Sequence, residues 1–280
     1  MRVIETWRVN IPSLLGLSDA SFDDAGIDAG GYIYVCDGTN GKIYKVQPDG
    51  AGADVCLIPG THDLGLKLAV MPDSTFFTAD ISTGMLMRYD ETGSPTGSFG
   101  APGILSLCAA PDGVLYTLTK NGCEEQLNAY DELGSPINSI PIFLENTHND
   151  PTLINLDADS GGNLYLTLGT PPYRIWKINP GTAGIGVIGR QIEYPDNMAL
   201  IADIAIDRST GALWVLMAYR DLGRQMIDLY NPDGKLSDTL AIPRSDSLYG
   251  IVCAYKGSVY LLDTGSGPGS GNVVCLKLNE

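Results

Sequence analysis

Ala25-Gly26-Ile27-Asp28-Ala29-Gly30-Gly31-Tyr32-Ile33-Tyr34-Val35-Cys36-Asp37 is the stretch on which the fold turns. A short run of small and apolar residues meets the turn Asp28-Ala29-Gly30-Gly31. A second apolar run follows, with an aromatic at its centre. Glycine supplies the positive φ of a tight hairpin, and β-branched and aromatic residues suit a pleated, half-buried strand. The segment therefore reads as two antiparallel strands.

The same pattern returns along the whole chain. The aromatic of the second strand marks each copy: Ile33-Tyr34-Val35, Phe76-Phe77-Thr78, Leu115-Tyr116-Thr117, Leu164-Tyr165-Leu166, Leu213-Trp214-Val215 and Val259-Tyr260-Leu261. Successive marked aromatics lie 43, 39, 49, 49 and 46 residues apart, the period of a four-stranded propeller blade. A third strand follows in each copy, among them Lys42-Ile43-Tyr44-Lys45-Val46 and Arg174-Ile175-Trp176-Lys177-Ile178. Turns such as Pro48-Asp49-Gly50 and Asn231-Pro232-Asp233-Gly234 then close a second hairpin. The sixth copy stops after its third strand, and an unmatched strand, Arg2 to Val9, precedes the first. Setting that strand at the outside of the last blade closes the ring and protects its edges. The expectation is an all-β, six-bladed β-propeller forming one domain over residues 1–280.

Composition supports this and narrows the partners. Of 280 residues, 44% are hydrophobic and only 18% charged, with 34 Gly and 17 Pro, which suits many short strands joined by turns. The formal net charge of −16 argues against nucleic acid, whose phosphates call for Lys and Arg clusters, and against anionic membrane surfaces. No apolar run is long enough for a membrane-spanning helix, so no membrane insertion is expected. The start, Met1 to Trp7, does not read as a signal peptide; a secreted form whose signal has been removed stays open, and the compartment cannot be read. The six cysteines form no Cys-x-x-Cys pair and mostly sit in apolar strands, so buried free thiols are expected rather than a disulfide framework.

Ala25 to Asp37 and Asp203-Ile204-Ala205-Ile206-Asp207 resemble the NHL repeat, and the SMP-30/gluconolactonase proteins are a related six-bladed group. The resemblance covers essentially the whole chain. It implies a site at the mouth of the central channel, on the face formed by the loops that lead into each innermost strand and those that join second to third strands. Aligning the copies places Asp24, Lys67, Ser106, Asn155, Asp203 and Gly250 at equivalent positions at the heads of the innermost strands. SMP-30-like hydrolases set a Glu, an Asn and an Asp at such heads around a divalent ion; the matching candidates are Asp24, Asn155 and Asp203, with an ion such as calcium. The chain carries Asp23-Asp24-Ala25-Gly26 where that family begins Glu-Gly-Pro, lacks its Asn-Asp-Gly segment, and sets the candidates one residue off the family pattern. The alternative is that these side chains cap strand ends and hold channel water. Lys67 is a further candidate ligand contact. The only histidines, His62 and His148, fall in loops leading into innermost strands; some NHL-type lyases hold zinc with channel-mouth histidines, and solvated loop histidines are the competing reading.

No Ser/His/acid nucleophile motif is present, and Gly265 to Gly271 lacks the Lys and following helix of a phosphate loop. Two loops have the composition of recognition surfaces: Thr170-Pro171-Pro172-Tyr173-Arg174 and Tyr219-Arg220-Asp221-Leu222-Gly223-Arg224. Six of the nine arginines lie between Arg174 and Arg244, and Tyr and Arg are favoured interface anchors; Tyr173, Arg174, Arg220 and Arg224 are the candidates. Three readings stand. The favoured one is a non-enzymatic platform binding a protein or small polar ligand on the loop face. The alternatives are a metal-dependent hydrolase or lyase at the channel mouth, and a structural subunit of a larger assembly.

Overall fold

A computed structural model describes residues 2–279 apart from 18–21, 39, 58–65, 123, 143–153, 168–172, 193–198, 220–223, 243–248 and 264–270. It is an all-β ring of six four-stranded antiparallel sheets. Blade 1 comprises β2 (Asp24–Ile27), β3 (Ile33–Asp37), β4 (Lys42–Val46) and β5 (Ala53–Leu57). Blade 2 comprises β6 (Leu66–Val70), β7 (Phe76–Asp80), β8 (Met85–Tyr89) and β9 (Pro95–Gly100). Blade 3 runs through β10 (Ile104–Ala109), β11 (Leu115–Asn121), β12 (Glu124–Tyr130) and β13 (Pro136–Ile142). Blade 4 holds β14 (Asn155–Ala158), β15 (Leu164–Thr167), β16 (Tyr173–Asn179) and β17 (Gly184–Ile192). Blade 5 holds β18 (Ala199–Asp207), β19 (Ala212–Tyr219), β20 (Arg224–Tyr230) and β21 (Leu236–Ala241). Blade 6 is β22 (Tyr249–Tyr255), β23 (Ser258–Asp263), β24 (Asn272–Asn279) and, from the other end of the chain, β1 (Arg2–Asn10). A short helix, α1 (Ile11–Leu15), follows β1.

The ring closes as expected. Strand β1 pairs antiparallel with β24 from Arg2↔Asn279 to Asn10↔Asn272, with a bulge between Glu5 and Trp7. Innermost strands β2, β6, β10, β14, β18 and β22 touch in succession, and β22 meets β2. Their approach is close enough to demand glycine at one point: a Cβ on Gly26 of β2 would lie 2.7 Å from Val70 Cγ2 of β6.

The core lies between blades. Tyr34 and Cys36 of blade 1 pack with Leu68 and Phe76 of blade 2, and Phe77 and Ala79 of blade 2 with Leu107 and Leu115 of blade 3. Each marked aromatic is buried; Tyr34, Phe77 and Trp214 are 1% exposed or less. Alternate residues of one strand therefore serve two different seams, which is why the second strands are buried on both faces rather than on alternate residues. The described cysteines Cys36, Cys108, Cys253 and Cys275 are buried and free.

Candidate functional site

The two faces of the ring differ in kind. One carries the tight turns that join first to second strands in each blade and third to fourth strands in blades 1 to 5. The other carries the connections between second and third strands and those between blades. The central channel runs between them and encloses a cavity of about 70 Å³, whose lining includes Asp24, Lys67, Ser106, Asn155 and Asp203. Five of the six aligned positions are thus brought together; Gly250 is not among the lining residues. Asp24 and Asn155 begin β2 and β14, but Asp203 sits five residues into β18, directly after a bulge between Ile201 and Asp203. Ser106 follows a similar bulge in β10. The bulges re-aim these side chains, and nothing in the local sequence announces them.

The polar side chains are bonded to backbone, largely across blade seams. Asp24 Oδ1 accepts from Ala25 N and its Oδ2 from Leu68 N of blade 2, both at 2.9 Å. Asn155 Nδ2 donates to the Ala202 carbonyl of blade 5 at 3.1 Å. Asp203 Oδ1 accepts from Ile204 N at 2.8 Å. Burial pushes the Asp24 carboxyl above its usual range, against the pull of Lys67 and the two backbone donors.

Two further groups, Asp157 and Arg208, belong to the cavity. Asp157 Oδ2 accepts from Ile206 N at 2.7 Å. Arg208 Nη2 donates to the Ala109 carbonyl of blade 3 and lies 3.7 Å from Asp157 Oδ1. Because Ala109 and Arg208 both stand at the ends of innermost strands, the guanidinium lies across the turn-face end of the channel. Burial raises the Asp157 carboxyl, opposed by Arg208 and the backbone donors. Asp157 follows Asn155 by two residues and so shares its strand face; extending the aligned position by one pleat would have found it.

Asp23 stands at the mouth beside Asp24. Its Oδ2 accepts from Gly38 N at 2.9 Å, and a Cβ on Gly38 would fall 2.0 Å from that oxygen. Burial raises its pKa to about 6, with Asp37 and Asp24 adding to the effect against the Gly38 bond. The folded protein therefore holds this proton more tightly than the unfolded chain, and stability falls as pH rises from about 4 to about 6. Asp23→Asn keeps an acceptor for Gly38 and removes the charge. After allowance for partial solvent screening it is expected to stabilise the fold by about 1–2 kcal/mol at pH 7 and by almost nothing at pH 4. Thermal unfolding at the two pH values checks this; equal gains at both would show that charge is not the cause.

The remaining sequence candidates divide. Lys67 is half-buried and lines the channel. Arg174 lies half-buried in β16, and Arg224 is exposed at the loop-face start of β20. Tyr173 begins β16, its side chain outside the described residues. His62, His148 and Arg220 also lie outside them. Among the described residues no three His, Cys, Asp or Glu side chains gather closely enough to hold an ion, and no helix is long and apolar enough to cross a membrane.

No protein-family model matches the chain, and no curated protein matches it in sequence. Solved structures do match in fold. Virginiamycin B lyase from Staphylococcus aureus superposes with a TM-score of 0.64 at 12% identity, over 99% of this chain and 100% of the lyase. The WD40 repeats of RRP9 give 0.64 at 11% identity, over 99% and 98%. A chain of the nidogen/laminin complex gives 0.60 at 14% identity, over 80% and 83%. At these identities the likeness is one of architecture: the chain is a six-bladed β-propeller, and its structural neighbours include a lyase, a set of WD40 repeats and a chain of the nidogen/laminin complex.

Proposed function

We propose that this propeller is a non-enzymatic binding platform of the NHL/SMP-30-like kind, engaging a protein or a small polar ligand on its loop face. One observation carries the reading: three polar side chains of the channel are committed to holding blades together. Asp24, Asn155 and Asp157 each bond a neighbouring blade's backbone. The cavity of about 70 Å³ has room for roughly five waters, well short of the several hundred Å³ of a ligand pocket. A divalent ion held by Asp24, Asn155 and Asp203 would share this space with the Lys67 ammonium, a like charge, and would compete with backbone donors for both Asp24 oxygens. The donor set thus suits structural bonding better than an ion centre. The loop face, by contrast, presents Arg224 free to solvent and is where rigid scaffolds carry recognition.

Calorimetric titration with calcium, manganese and zinc, on wild type and Asp203→Ala, tests the reading, run beside incubation with virginiamycin B and a divalent cation followed by mass spectrometry. The expected result is no saturable heat and no conversion. Micromolar binding abolished by Asp203→Ala, or turnover of the antibiotic, would overturn it in favour of channel-mouth chemistry.

A further inference from the structure

The turn face carries a second feature, independent of the loop face. Between blades 1 and 2 lies a cleft of about 500 Å³ lined by Asp28, Tyr32, Lys45, Asp54, Val55, Ser74, Glu91 and Thr92 among others. Its volume is that of a small-molecule or peptide side-chain site. Lys45 Nζ stands 4.8 Å from the centroid of the Tyr32 ring and 5.0 Å from that of Tyr34. Tyr34 is fully buried, its hydroxyl donating to Asp28 Oδ2 at 3.3 Å, whereas Tyr32 is 36% exposed. Asp28 itself is committed: it accepts from Gly30 N, Tyr32 N and Ser74 Oγ. Those bonds fix the hairpin that presents Tyr32.

Lys45 pairs directly with Asp54 in the β4–β5 ladder, and cross-strand opposite charges attract. Lys45 nonetheless points at the tyrosines. Asp54 and Glu91 are exposed on the rim; among the described residues neither lies within ion-pair distance of a cation, although Lys45 feels the charge of Glu91. Val55, 42% exposed, supplies an apolar wall beside them. The cleft thus offers a part-exposed aromatic ring that already attracts one cation, two carboxylates outside ion-pair distance of any described cation and an apolar wall, in a chain of net charge −16. A guanidinium satisfies all three at once: it stacks on an aromatic ring, forks onto carboxylates, and carries an aliphatic stem that packs on apolar surface. An ammonium, being a compact and more strongly hydrated charge, satisfies them less well. We propose that the cleft between blades 1 and 2 is a docking site for an arginine side chain of a partner peptide, with Tyr32 as platform, Asp54 and Glu91 as carboxylate partners and Val55 as the wall for the stem. Lys45 holds a neighbouring cation position within the protein itself and repels the incoming one.

The test is fluorescence anisotropy with a fluorescein-labelled Gly/Ser hexapeptide bearing two arginines, beside its two-lysine counterpart, at about 0.15 M salt. Wild type is expected to bind the arginine peptide several-fold more tightly than the lysine one. Asp54→Asn with Glu91→Gln should weaken binding by about tenfold, as loss of charge-assisted bonds does. Lys45→Met should strengthen it, a direction that general loss of structure does not produce. Glu132→Gln with Asp233→Asn removes the same charge from exposed turns elsewhere on the turn face and should change nothing. The altered side chains are exposed apart from Lys45, so thermal unfolding of the Asp54/Glu91 variant should match wild type. No binding, lysine bound as tightly as arginine, or equal loss in the Glu132/Asp233 variant would overturn the proposal.

Discussion

Removal of residues 2–10 is expected to abolish the monomeric fold. These residues form β1, the outermost strand of a blade whose other three strands come from the far end of the chain. The strand does more than pair with β24. Val9 and Ile11 are buried in a seam cluster with Ile33, Val35 and Tyr44 of blade 1 and Cys253, Tyr260 and Val273 of blade 6. The Trp7 ring lies 5.8 Å from that of Tyr260 and covers the Gly50 turn so closely that a Cβ there would meet Trp7 Cε3 at 2.6 Å. Asn10 Nδ2 donates to Asn272 Oδ1 at 3.2 Å, and Ile11 N to the Gly271 carbonyl at 3.0 Å. Losing the burial of Trp7 and Val9 alone costs about 3–5 kcal/mol, and the ladder bonds to β24 go with it. Domains of this kind have only about 5–15 kcal/mol of stability in total. The uncovered β24 would also expose Val273 and Cys275, which share a cluster with Trp7 and Val9, beside an unpaired edge, a template for aggregation. Size-exclusion chromatography of the truncated chain should show aggregate or an expanded species. Adding a synthetic peptide of residues 1–12 should restore a folded monomer by strand addition. A truncated chain that elutes as a compact monomer with unchanged thermal unfolding would show that the seam is held without β1.

The fold was legible because its information is local. Each hairpin announces itself by a turn, as Asp28-Ala29-Gly30-Gly31 and Pro111-Asp112-Gly113 do, and by an aromatic at a fixed offset from it. The marked aromatics Tyr34 and Phe77 fall in the second strands β3 and β7, and the leftover N-terminal strand could go only where the sixth blade lacked one. The candidate site was legible in outline alone. Asp24, Lys67, Asn155 and Asp203 do line one cavity, because an aligned repeat position maps onto an equivalent place in each blade. What those side chains bond was not legible. The cross-seam partners in the cavity lie 44 to 49 residues away, as in Asp24 with Leu68 and Asp157 with Ile206, and no short motif encodes a contact across a seam. Arg208 illustrates the point further: it follows Asp207 in a turn, yet it reaches Ala109 two blades away. The cleft beside Tyr32 has no signature in the sequence for a related reason, since residues of two blades line it.

Asp207→Ala is expected to cost about 3 kcal/mol at pH 7, roughly 5–10 °C in melting temperature. Asp207 is fully buried at the end of β18, and its carboxylate ties blade 5 to blade 6. Oδ1 accepts from Ser209 N at 3.0 Å, Ser209 Oγ at 2.7 Å and Lys256 N at 3.1 Å; Oδ2 accepts from Gly257 N at 2.6 Å. The last two donors sit in the turn before β23, where Lys256 adopts φ 48° and Gly257 φ 74°. A lysine in the left-handed region is strained, and the carboxylate helps to hold it there. With alanine the donors of Lys256 and Gly257 lose their acceptor, and loss of hydrogen bonds to a charged group costs about 1.5–3 kcal/mol. Burial by itself would raise the Asp207 pKa, but the bonds from Ser209, Gly257 and Thr210 outweigh it and hold the carboxyl below its ordinary 3.8. The unfolded chain therefore takes up this proton first on acidification. The stability due to the charged form is complete well above pH 3.8 and is lost as pH falls through the lower folded value. The gap in melting temperature between wild type and Asp207→Ala should accordingly be widest near pH 7 and shrink toward pH 3. Asp207→Asn, which retains one acceptor oxygen, should fall between the two. A gap that stays constant with pH would mean that the side chain acts through its shape in the seam, and that the Lys256–Gly257 turn keeps its conformation without the carboxylate.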